Sequence, residues 1–201
     1  MRILGLTGSI GMGKSTAAAM LTRLGLPVHD ADAAVHRLLG PGGRAVAAVA
    51  AAFPGTRTGN AIDRKALGAL VFGKPLEMRR LEAILHPLVR QAEADFLRRC
   101  RARRERLVVL DIPLLFETGG ETRCDVVLVV SAPQFLQEQR VLIRPNMTRA
   151  RFQQILAQQM PDAEKRRRAD VVVPTGLGRR ATLVALRRAV RRLRDGRTGA
   201  P

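Results

Sequence analysis

The chain has 201 residues and a formal net charge of +18, from 35 lysines and arginines against 17 aspartates and glutamates. Hydrophobic residues make up 46% of it, which excludes a disordered polar chain, and its length suits one α/β domain with room for a helical insertion. Cys100 and Cys124 stand alone, without the spacing of a disulfide framework or a zinc site, and no apolar run is long enough to span a bilayer. A cytoplasmic location and no membrane partner are expected.

In chain order, residues 2–6 read as a short buried strand. Gly8-Ser9-Ile10-Gly11-Met12-Gly13-Lys14-Ser15 follows, matching the phosphate-binding pattern G-x-x-x-x-G-K-[ST]. Thr16 and the Ala-rich stretch behind it have strong helix propensity. Strand, glycine loop and helix start together aim backbone N–H groups and a helix dipole at an anion. In this arrangement Lys14 reaches the β- and γ-phosphates of a nucleoside triphosphate, and the Ser15 hydroxyl ligates Mg²⁺. A glycine turn that binds nothing is the plain competing reading, and the setting argues against it.

Residues 26–30 form a second short strand ending in Asp30-Ala31-Asp32. From 33 to about 104 the character is helical, with short helices at 33–39 and 44–53 split by Gly40-Pro41-Gly42-Gly43 and a loop at 54–60. Asp63 is placed to cap a helix running to Val71. Beyond Pro75, Leu81, Ile84, Leu85, Leu88, Val89, Ala92 and Phe96 share one face of a long amphipathic helix. Residues 107–111 form an apolar strand ending in Asp111; 125–131 and 169–173 are further strands, and helices lie at 133–143, 148–159 and 178–194. Strands alternating with helices imply a parallel doubly wound sheet of five strands, with the active site at their carboxyl ends. Residues 1–197 are read as a single domain and 198–201 as a tail.

The absence of a guanine-reading Asn-Lys-x-Asp argues against a switch GTPase. A small-molecule kinase needs an acceptor pocket, a base and mobile cations. At the end of the second strand, Asp32 is read as a functional carboxylate that accepts the proton of an attacking hydroxyl or holds Mg²⁺ through water, while Asp30 is equally suited to such a role and to capping the next helix. Asp111, at the end of its strand, is a candidate for orienting Mg²⁺. Arg140 and Arg144, four residues apart before Pro145-Asn146, suit a lid over about 138–155, with Thr148 capping its second helix.

These motifs, in this order, resemble the dephospho-CoA kinase family nearly end to end. The resemblance rests on Gly5 to Thr16, Asp30-Ala31-Asp32, Pro41-Gly42, Asp63-Arg64, His86-Pro87, Pro113-Leu114-Leu115-Phe116-Glu117, Gln137 with Arg140 and Arg144, and Ala169-Asp170. It implies a P-loop NTPase-type fold and transfer of the ATP γ-phosphoryl to the ribose 3′-hydroxyl of dephospho-CoA. It places Asp32 as base and Lys14 and Arg140 on the phosphates. Gly8, Gly11, Met12, Gly13, Lys14, Ser15, Thr16 and Arg144 are implied ATP contacts. Thr7, Asp32, Arg64, His86, Pro87 and Leu114 are implied acceptor contacts, and Ser15 and Asp111 the Mg²⁺ site.

Thr175 stands where the family usually has Asn, which leaves nucleotide preference open. The arginine clusters are read as a field for anionic substrates rather than a nucleic-acid site, since no aromatic platform or base-reading motif accompanies them. Another nucleotide- or nucleoside-type kinase, or a basic nucleic-acid-binding ATPase, remain as alternatives.

Overall fold

In the computed structural model, which describes residues 1–195, the elements follow the chain as β1 (Arg2–Thr7), α1 (Lys14–Arg23), β2 (Val28–Asp30), α2 (Ala31–Leu39), α3 (Val46–Ala52), β3 (Arg57–Thr58), β4 (Ala61–Ile62), α4 (Arg64–Val71), α5 (Pro75–Ala102), β5 (Leu107–Asp111), β6 (Val126–Ser131), α6 (Gln134–Leu142), α7 (Arg149–Ala157), α8 (Asp162–Arg168), β7 (Val171–Pro174) and α9 (Gly178–Arg194). The expected tail at 198–201 lies outside the described residues. Two compact units result: Met1–Val28 with the described residues from Cys100 onward, and His29–Arg99.

The first unit is built on a five-stranded sheet in the order β2-β5-β1-β6-β7. β1 pairs in parallel with both β5 and β6, and β6 with β7. Its central strands are apolar through their middles because helices cover both faces of a parallel sheet; Val108, Val109, Leu110, Leu128, Val129 and Val130 are all fully buried. Leu4, Leu6, Leu21 and Leu128 join Leu186 and Val190 of α9 in one core. The α9 helix buries Leu186, Ala189, Val190 and Leu193, leaving arginines on its outer face. Register matters for function: Leu6 lies opposite Asp111, so that carboxylate is brought to the end of β1 where the glycine loop departs.

The second unit is helical. Leu38, Leu39, Val46, Val49, Phe53, Leu67, Val71, Leu81 and Leu85 form its core. Asp63 caps α4, accepting from the amides of Lys65 at 2.8 Å and Ala66 at 3.2 Å. Within the expected loop the chain makes a small antiparallel hairpin, β3 with β4.

Candidate active site

The loop between β1 and α1 is shaped by its glycines. Gly11 has φ +79°, and a Cβ there would lie 2.6 Å from Val141 Cγ2 and 2.9 Å from the Gln137 carbonyl oxygen. Gly8 is barred from a side chain by β6, since its Cβ would meet Val130 Cγ2 at 2.6 Å. A side chain at either position would push the loop off the elements that support it. Gly13, in the left-handed conformation, is the N-cap of α1. The first amides of α1 have no partner within the helix, so the helix start presents N–H groups and a partial positive charge. Met12 works from behind the loop: it is buried, its N–H donates to the Ser9 carbonyl at 3.1 Å, and its Sδ accepts from the Ala132 amide at 3.1 Å.

Lys14 Nζ donates to Asp111 Oδ1 at 2.8 Å, joining the first residue of α1 to the end of β5. Asp111 is 3% exposed, so this carboxylate is held in a low-dielectric setting where its attraction for cations is strong. Ser15 and Thr16 are exposed in the first turn of α1. An exposed hydroxyl and a buried carboxylate are hard oxygen donors of the kind Mg²⁺ takes alongside phosphates and water. Among the described residues no group of three or more His, Cys, Asp or Glu could hold a metal ion. Few protein ligands suit an ion that arrives with a nucleotide, so the residues fit Mg²⁺.

On the outer side of the loop, Arg140 of α6 donates to the Thr175 carbonyl at 2.8 Å and approaches the Gly11 carbonyl at 3.5 Å. The Thr175 hydroxyl donates to the Met12 carbonyl at 2.7 Å. Thr175, noted in the sequence only as a departure, is thus a buried post between β7 and the loop. Arg144 is exposed just beyond α6.

Thr7 is fully buried, and its hydroxyl donates to the Pro113 carbonyl at 3.0 Å. Its side chain ties β1 to the segment bearing Leu114, and it has no exposed surface to offer an acceptor. Leu114 is 39% exposed. Asp32, Arg64, His86 and Pro87 all belong to the helical unit and are exposed. Asp32 lies in the first turn of α2, and Asp30 caps that helix, accepting from the Ala33 amide at 2.9 Å. Arg64 Nη1 lies 2.6 Å from His36 Nε2, which orients the guanidinium. Gln159 was not legible in the sequence: its side-chain oxygen accepts from the Ile10 amide at 3.0 Å, but a glutamine beside Gln158 between two helices carries no spacing signal.

A parallel sheet that feeds a glycine loop into a helix, with a helix lysine paired to a carboxylate on the neighbouring strand, defines a P-loop phosphotransferase. A family model described as dephospho-CoA kinase matches residues 2–177. The dephospho-CoA kinase of Paramagnetospirillum magneticum is 67% identical over 201 residues, covering 100% of this chain and 95% of that protein. Among solved structures, TT1252 from Thermus thermophilus is 39% identical with a TM-score of 0.82, covering 94% of this chain and 95% of that one. The dephospho-CoA kinase from Campylobacter jejuni, 23% identical, shares the fold with a TM-score of 0.72 over 96% of this chain and 98% of that one. The chain belongs to the dephospho-CoA kinase family.

Proposed function

We propose that this chain transfers the γ-phosphoryl group of ATP to the ribose 3′-hydroxyl of dephospho-CoA, the last step of coenzyme A synthesis. The match of residues 2–177 to the dephospho-CoA kinase family carries the reading of the acceptor, and the Lys14–Asp111 pair at the mouth of the glycine loop supports the phosphoryl transfer. In the reaction a bond forms between the acceptor oxygen and Pγ while the bond from Pγ to the bridging oxygen breaks. The hydroxyl proton passes to the Asp32 carboxylate, and ADP leaves. Lys14 spreads the developing charge, and the amides at the start of α1 hold the phosphates without reorganising. Arg140 and Arg144, on an α6–α7 lid, add cations and exclude water. Arg64, His86, Pro87 and Leu114 are the acceptor contacts, and the first unit with its helical insertion works as one kinase. Mg²⁺ at Ser15 and Asp111 would neutralise phosphate charge when bound with ATP.

The positive field is not confined to the loop. Arg2, Arg101, Arg104, Arg106 and Arg194 line a cavity of about 460 Å³ at the amino ends of β1 and β5, opposite the loop. It raises the local concentration of anionic substrates by long-range attraction that salt screens. Among the described residues, no helix is long and apolar enough to cross a membrane.

The test is ADP release with Mg²⁺-ATP and dephospho-CoA, AMP, adenosine, RNA or no acceptor, with product masses checked. ADP formation and one added phosphoryl group on dephospho-CoA alone are expected. Turnover stimulated by RNA without an acceptor would replace this reading with a nucleic-acid-dependent ATPase.

A further inference from the structure

The segment carrying Arg140 and Arg144 is fastened at both ends to one residue of the phosphate loop. Near its start, Gln137 Nε2 donates to the Ile10 carbonyl at 2.8 Å. After its end, the Ile10 amide donates to Gln159 Oε1 at 3.0 Å. The two glutamines, on α6 and in the turn between α7 and α8, therefore grip the two polar groups of a single residue. Gln137 is 4% exposed, and its backbone carbonyl oxygen lies 2.9 Å from where a Cβ on Gly11 would sit, so α6 is packed directly on the loop.

The far grip has a buried foundation. The Met160 amide, next to Gln159, donates to Glu117 Oε1 at 2.8 Å. That same oxygen lies 2.8 Å from Nζ of Lys165, a side chain with no exposed surface. Burial pushes the Glu117 carboxyl up, but the Lys165 ammonium and the backbone amides outweigh it and hold the carboxyl below its usual range. Glu117 stays ionised, and the turn that presents Gln159 is fixed to the first unit.

We propose that Gln137 and Gln159 are positioning residues that hold the C=O and the N–H of Ile10, so that the phosphate loop and the arginine lid are set as one body. The inference rests on the reading of α6–α7 as a lid. Its signature is polarity: Gln137 is needed as a donor and Gln159 as an acceptor. A packing role would not distinguish the two.

Glutamate separates them, because it accepts but does not donate when ionised. Gln159→Glu keeps the acceptor for the Ile10 amide, whereas Gln137→Glu sets a carboxylate against the Ile10 carbonyl. Gln137 is buried and Gln159 half-buried, so a carboxylate costs more at Gln137 whatever the bond; the comparison of Gln159→Glu with Gln159→Leu, and the uncharged Gln137→Met, report the direction of each bond. Equilibrium binding of ADP is the primary measurement, with thermal unfolding alongside and KM for ATP and for dephospho-CoA as further readouts. Gln137→Glu and Gln159→Leu are expected to weaken ADP binding about tenfold, with Gln159→Glu within about threefold of the parent. KM for ATP should follow the ADP affinities, while KM for dephospho-CoA stays within about twofold. Gln137→Met, which drops the donor and keeps the stem, gives the same reading if Gln137→Glu does not fold. Equal losses in Gln159→Glu and Gln159→Leu, or no loss in any variant, would overturn the proposal. ADP binding needs no acceptor, so failure of the dephospho-CoA assay would be distinguishable from failure of this coupling.

Discussion

Lys14 and Asp32 sit in different units and should fail in different ways when removed. On the proposed mechanism Lys14 neutralises phosphate charge in both ground and transition states, so Lys14→Ala should raise KM for ATP and lower kcat by at least about a hundredfold. Its loss also leaves the buried Asp111 carboxylate without the ammonium at 2.8 Å, and some stability should go with it. In the proposed reaction Asp32 acts on the acceptor hydroxyl. Asp32→Asn should cut kcat roughly 10²–10⁴-fold while ADP affinity, measured directly, stays near the parent value. Unchanged turnover would remove Asp32 from the role of base. The residues legible in the sequence were those whose chemistry is fixed by local spacing: glycines, lysine and serine in one turn of chain. Gln159 and Thr175 act from residues more than a hundred positions along the chain, and only the tertiary fold brings them to the loop.

At the scale of elements, buried strands and amphipathic helices announced themselves, since β5 is apolar to its last residue and α5 keeps a helical stripe. Three elements did not. β3 and β4 have only two residues each, too few for alternation to show. The α8 helix, Asp-Ala-Glu-Lys-Arg-Arg-Arg, has no apolar stripe; Lys165 is its buried side chain, and its place is set by Glu117 rather than by hydrophobic spacing. The loop between β1 and α1 depends on Gly11, where conformation and contact combine: φ +79° and a would-be Cβ inside Val141 and Gln137. Gly11→Ala should lower stability by about 1–3 kcal/mol and weaken ADP binding more than a surface Gly25→Ala does. Gly25 also has positive φ, with nothing within 4 Å of a built Cβ, so the comparison isolates the packing against α6. Matching losses of ADP affinity in the two variants would contradict this account.

For the molecule as a whole, acid sensitivity has a place to begin in the helical unit. His29 is 5% exposed and packs against Phe96 with ring centroids 5.3 Å apart. Burial, and then the Arg37 guanidinium with a smaller push from Arg99, lowers its pKa below 6.5 against the opposing pull of Asp30. Below that value the unfolded chain binds the proton first, so stability contributed by the neutral ring falls as pH drops from about 7 toward 5. Denaturation midpoints should be lower at about pH 5.5 than at pH 7.5, and the gap should narrow in His29→Gln. An unchanged gap would assign the acid sensitivity to other groups.

The helical unit also has a topological meaning. β2 and β5 are neighbours in the sheet, and everything from Ala31 to Arg106 is the connection between them. Parallel neighbours need a crossover of only about a dozen residues. This one is between two and three doublings longer, and at about 0.6 kcal/mol per doubling the added closure entropy is about 1.5 kcal/mol. Burying one aliphatic side chain offsets that, and the unit has a core of its own. The sheet can therefore carry crossovers of very different size and content at nearly constant stability; with the helical unit binding the acceptor as proposed, the choice of acceptor becomes a nearly free variable of the architecture.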